Sequence, residues 1–98
     1  MVVHVVMIRF REEEGKEEAV LRAAEMIDAL VLKVPSLRSM ETGINFSPEE
    51  RAMDLCLIAR FDDREGLEEY AVHPEHQKVI AFIKEKAEYS KVVDYEKE

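Results

Sequence analysis

The chain has 98 residues, the length of one domain. Its 14 basic and 22 acidic residues give a net charge of −8, which excludes the clustered Lys and Arg that nucleic-acid or anionic-membrane partners require. With 47% hydrophobic and 37% charged residues it is not a disordered chain, and its one cysteine cannot form an internal disulfide, which points to a reducing, cytoplasmic setting.

The opening residues, MVVHVVMIRF, carry no basic segment, and their apolar run ends at Arg9. They predict a strand over 2–10 rather than a signal peptide or a membrane span. Glu12, Glu13, Glu14 and Gly15 break it. From Lys16 to Lys33 the residues Ala19, Ala23, Ile27, Leu30, Val31 and Val34 recur at helical spacing, and Pro35 stops the helix. Residues 37–46 predict a weaker strand with Gly43 as a bulge, followed by a turn at Ser47–Glu50. Residues 52–61 alternate, with Met53, Leu55, Leu57, Ala59 and Phe61 on one face and Asp54, Cys56, Ile58 and Arg60 on the other. Asp62 or Asp63 can cap a short helix carrying Leu67, Tyr70 and Ala71. His73 and Pro74 end that helix and open another, which runs to about Ala87. Residues 89–96 predict the final strand.

The order βαββαβ predicts one α+β domain over 1–98, a ferredoxin-like four-stranded antiparallel sheet with helices on one face. The first strand is apolar on both sides: Val2, Val6, Ile8 and Phe10 at even positions, Val3, Val5 and Met7 at odd ones. Helices can cover only one side, and no spare segment can cover the other. The expectation is therefore a homodimer packed through the open sheet face.

The reactive inventory is small. His76 shares a helical stripe with Val79, Ile80 and Ile83, and His4 shares the even strand face with Val6 and Ile8. Tyr70 lies on the stripe of Leu67. Asp94 stands among Val92 and Val93, where an imidazole partner would satisfy it. His4, Tyr70, His76 and Asp94 can thus converge in an apolar cavity between sheet and helices, the usual form of a small-molecule site. Equally, such histidines can simply tie strands to helices in a core. His73-x-x-His76 has metal-ligand spacing, but Pro74 intervenes and no third ligand follows, so neither metal nor cofactor is expected. Cys56 lies near Asp54, which raises a thiol pKa and argues against a nucleophile. There is no glycine-rich phosphate loop and no G-x-S-x-G element.

H-V-V-M-I-R-F at 4–10, Pro35, Gly43, H-P-x-H at 73–76 and V-V-D-Y at 92–95 resemble the stress-responsive dimeric α/β-barrel family over nearly the whole chain. The resemblance implies a ferredoxin-like dimer in which two sheets form a barrel. One family member, a polyketide cyclase, closes a ring by intramolecular aldol condensation in an internal cavity without a cofactor. Its functional Tyr and His match Tyr70 and His76, and its strand-one His and late Asp match His4 and Asp94. Where that cyclase has aromatic residues and an additional strand histidine, this chain carries Ala23, Ala24, Ile27 and Leu55. The resemblance therefore implies His76 and Tyr70 as acid–base residues, with His4, Asp94 and His73 as binding positions, acting on a small apolar or carbonyl-bearing molecule. Two alternatives stand beside this: a non-catalytic stress-linked binding or structural protein, and a cofactor-free monooxygenase-like protein.

Overall fold

A computed structural model describes residues 1–98. The elements are β1 (Val2–Phe10), α1 (Lys16–Ala29), a 3-10 turn (Leu30–Leu32), β2 (Leu37–Ile44), β3 (Leu55–Phe61), α2 (Arg64–Val72), α3 (Pro74–Lys86) and β4 (Ala87–Glu96). They form a four-stranded antiparallel sheet in the order β2-β3-β1-β4, the predicted ferredoxin-like arrangement.

Local chemistry sets the helix boundaries. Gly15, at φ 85°, turns the chain into α1 through the left-handed region that glycine enters without steric cost. The helix buries Val20, Ala23, Ala24 and Ile27, and Leu30 and Val34 continue the same stripe. Val31, expected on that stripe, is exposed, because the helix tightens into the 3-10 turn at Leu30 and the periodicity changes there. Lys33 accordingly lies beyond α1 and reaches Glu75 on α3 at 3.5 Å. The Asp63 carboxylate caps α2 by accepting from the Gly66 amide at 2.9 Å. Gly66 sits close to β3 and the preceding loop: a Cβ there would lie 3.4 Å from Phe61 Cβ and 3.6 Å from Ser36 Cβ.

The even face of β1 looks at the helices. Val2, Ile8 and Phe10 join Leu55, Leu57, Ala59 and Phe61 of β3 and the α1 residues in one core. Ala23, Ala24, Ile27 and Leu55 are core-filling residues here. The alternation expected for β3 holds from Leu55, but the strand starts there rather than at 52. Asp54 instead accepts from the Phe10 amide at 2.7 Å and from Lys16 at 3.2 Å, tying the strand end to β1 and α1. The sheet irregularities lie between Leu37 and Ser39 and between Arg9 and Phe10. Gly43 pairs in register with Cys56 and is not a bulge, since its backbone remains in ordinary strand conformation. No helix is long and apolar enough to cross a membrane.

The other face of the sheet carries no element of this chain. Its cross-strand rows are Ser39–Arg60–Val3–Tyr95, Glu41–Ile58–Val5–Val93 and Gly43–Cys56–Met7–Lys91. Met7 is 42% exposed, Val93 53% and Tyr95 46%.

Candidate functional site

Four elements, β1, α2, α3 and β4, bring the predicted site residues together. His4 on β1 stands directly opposite Asp94 on β4, and its Nδ1 contacts the Asp94 carboxylate. The His4 side chain is mostly covered, while Asp94 is nearly half exposed on the edge strand. Water therefore relieves Asp94 on one side and His4 on the other.

Tyr70 occupies the last turn of α2 and is buried. Its ring touches three others. Phe61 lies at 5.2 Å between centroids, His4 presents an edge at 6.1 Å, and His76 stacks at 4.0 Å with a 30° tilt. Burial pushes the phenol pKa well above its ordinary value, so the hydroxyl keeps its proton and is a donor at any physiological pH. Ala71, expected beside Tyr70 on the buried stripe, is exposed, on the solvent side of the last turn of α2.

The helix break explains how His76 is held. His73 has extended backbone at the N-cap of α3, and its Nδ1 accepts from the Glu75 amide at 3.1 Å. His73 is thus a cap in this fold, a role that Pro74 at the first helical position makes natural. With the Glu75 amide so engaged, the Ala71 carbonyl has no helical donor. It accepts instead from Gln77 Nε2 at 2.7 Å and lies 3.4 Å from His76 Nδ1. A proton on Nδ1 can donate to that carbonyl, which leaves the Nε2 lone pair free to act as a base. Burial lowers the His76 pKa, outweighing the opposing hydrogen bonds to the Ala71 and Tyr70 backbone, while the nearby His4 and His73 add to the lowering, so the neutral ring is favoured at pH 7. Gln77 was not singled out from the sequence. The signal was present in Pro74, since a helix interrupted there must leave a carbonyl to be satisfied by a side chain.

The four side chains therefore form a continuous series, Asp94–His4–Tyr70–His76, from edge strand to helix. Of the larger cavities, two bear on the series or on the open sheet face. One of about 360 Å³ between α2 and β4 is lined by Val2, Arg64, Leu67, Asp94 and Glu96 and reaches the series at Asp94. The other, about 570 Å³, sits on the open sheet face under the β2–β3 loop, against Met7, Gly43, Ile44, Phe46 and Cys56. His4, Tyr70 and His76 line neither. Cys56 faces the open sheet, and its thiol pKa is raised by burial and then by Glu41 rather than by Asp54. No group of three or more His, Cys, Asp or Glu side chains is placed to hold a metal ion.

Comparison with known proteins agrees with this architecture. A Streptomyces coelicolor protein of uncharacterised function, SCO4036, is 32% identical over 98% of this chain and 99% of its own length. A Bacteroides fragilis protein of unknown function, described as dimeric and ferredoxin-like, superimposes with a TM-score of 0.89 at 31% identity, covering 98% of this chain and 95% of that one. A hydroxynitrile lyase from Passiflora edulis shares the fold with a TM-score of 0.75 at 13% identity, over 96% of this chain and 90% of its own. Residues 2–97 match the model of the stress responsive A/B barrel domain, and the chain belongs to that family.

Proposed function

We propose that the protein is a cofactor-free homodimer that binds a small apolar, carbonyl-bearing molecule beside β4 and moves a proton on it. One observation carries this reading: the Asp94–His4–Tyr70–His76 series, in which a neutral histidine and a protonated phenol lie in ring contact. His76 Nε2 would take the proton from the carbon next to the carbonyl. The Tyr70 hydroxyl would donate to the developing enolate oxygen, and His4, oriented by Asp94, would support it. The cavity that reaches Asp94, with Val2 and Leu67 as its apolar wall, adjoins the series only at its β4 end, so the molecule must move from it toward α3 to meet Tyr70 and His76. A lyase on the same fold is compatible with such chemistry, although a shared fold does not fix a reaction. The dimer is supported by the uncovered apolar rows of the sheet and by the dimeric Bacteroides relative.

The test uses an aryl methyl ketone in deuterated buffer, followed by proton NMR. The wild-type protein is expected to accelerate loss of the methyl signal. His76→Gln abolishes the acceleration, and Tyr70→Phe reduces it by about 100-fold, the scale of a general acid–base contribution. Exchange no faster than in buffer, or unchanged in His76→Gln, refutes the reading.

A second reading has its own observation in favour: His73 and His76 make their hydrogen bonds to backbone groups. On this reading the protein is a non-catalytic binding or structural member of the family. His76→Ala then lowers the melting temperature and changes no ligand response.

A further inference from the structure

The segment between β2 and β3, residues 45–54, folds back over the open sheet face instead of projecting from it. Arg9, on the open side of β1, holds it there. Its Nη1 donates to the Glu50 carbonyl at 2.8 Å and to the Ala52 carbonyl at 3.2 Å. The ends of the segment are fixed as well. The Asn45 amide donates to the Asp54 carbonyl at 3.0 Å, and the Asp54 amide to the Ile8 carbonyl at 2.9 Å. Backbone groups of the loop thus find their partners on the sheet, which makes the loop a fixed wall.

The floor beside this wall is the row Gly43–Cys56–Met7–Lys91. It begins with no side chain and then a small one, and a Cβ on Gly43 would meet nothing within 4 Å. Ile44, Phe46 and Met53 border the same space, whose volume of about 570 Å³ suits a small molecule. Packed sheets stand about 10 Å apart. A second sheet over this face therefore roofs the trough, while Gly43 and Cys56 leave their half of the gap unfilled.

The charges around the trough are uneven. Glu49 and Arg51 at its rim pair with each other at 3.4 Å. Lys91, at the end of the floor, has its ammonium 5.5 Å from the centre of the Tyr89 ring and no carboxylate within ion-pair distance. In a chain of net charge −8, this mostly apolar cavity presents one uncompensated cation. Its complement is an apolar body with a single anionic head.

We infer that the cavity binds a small amphipathic carboxylate, with its apolar body over Gly43, Cys56 and Met7 and its head group on Lys91. An amine of the same shape meets Lys91 with like charge. A dianion finds no second free cation there and meets Glu49. The cavity lies on the opposite face of the sheet from His4 and His76, so this inference stands apart from the proton transfer proposed above.

Decanoate is the probe, with calorimetry for affinity and NMR of isotope-labelled methionine methyls for location. Met7 and Met53 line the cavity, whereas Met26 and Met40 pack against the core. Decanoate is expected to shift the Met7 and Met53 signals and to leave those of Met26 and Met40 in place. Lys91→Gln weakens decanoate binding about fivefold, the scale of a partly exposed ion pair, and leaves decanol binding unchanged. Gly43→Val adds bulk to the floor at a position that strand geometry accepts, and weakens both ligands about tenfold or more. Thermal melts confirm that each variant folds. Sedimentation at saturating decanoate shows the same oligomeric state as the free protein. Absence of the Met7 and Met53 shifts overturns the inference, as does decylamine binding as tightly as decanoate. So does a decanoate complex that forms only in dissociated protein, since the second copy then fills the cavity itself.

Discussion

At the scale of single residues, His76 makes the sharpest prediction. Its pKa is held down in the folded chain by burial, against about 6.5 for an unfolded histidine. As pH falls below about 6.5, the unfolded chain takes up the proton first, so stability declines until the folded pKa is also passed. Melting temperatures measured from pH 7.5 down to pH 5 should fall, and the slope should flatten in His76→Gln. An equal slope in the variant means that another group governs the acid limb. Asp94→Asn is expected to leave the fold intact, since Asp94 is half exposed, while removing the charge that orients His4. Nuclear Overhauser contacts between the His4 ring and β4 should weaken with it. Much of this site could be read in the sequence. The i, i+3, i+4 stripe aimed His76 inward, and strand alternation put His4 on the helix side. The cap formed by His73 was harder to see, because a histidine accepting from a backbone amide has the same spacing to His76 as a metal ligand. The Tyr70–His76 stack was not visible at all, since it depends on the angle between α2 and α3 across Pro74.

At the scale of elements, the helix boundaries are set by short-range hydrogen bonds and are correspondingly testable. Asp63→Ala removes the side chain that caps the N-terminus of α2 and should cost about 1 kcal/mol in denaturant unfolding. Phe61 is fully buried, contacts Tyr70, and backs the closest approach of Gly66. Phe61→Ala should therefore destabilise by about 3–5 kcal/mol and loosen the Tyr70 ring. In a domain this small, such a loss approaches the whole stability, so the variant should be largely unfolded at 37 °C. The predicted elements all exist. The differences lie where a tertiary contact decided the outcome: Asp54 left its strand to tie β1 and α1 together, and the register irregularity moved from Gly43 to the Leu37–Ser39 entry of β2. Neither is encoded by periodicity, because both depend on which strand lies alongside.

At the scale of the whole molecule, the two-sided hydrophobicity of β1 connects chain pattern to assembly. One side forms the core; on the other Val3 is buried, but Met7, Val93 and Tyr95 are exposed. If a second copy covers that side, unfolding and dissociation are coupled. The melting temperature should then rise with protein concentration across the micromolar range. A melting temperature independent of concentration, in a protein that sediments as a monomer, speaks against the assembly. The family match covers residues 2–97 and agrees with this reading, but the argument for the bare face stands on the alternation in β1 alone.

The position of β1 has one more consequence. It is made before the other three strands of its sheet, yet it sits in the interior of the sheet, between β3 and β4. The backbone groups on its β4 side wait for residues 87–96, and the Met1–Lys97 pairing that fastens this end forms later still. During synthesis the most apolar segment of the protein is therefore a half-satisfied template for any extended polypeptide nearby. A nascent chain of this kind is a natural client for holdase chaperones, and ribosome pausing between β3 and β4 should raise the aggregated fraction more than pausing anywhere upstream.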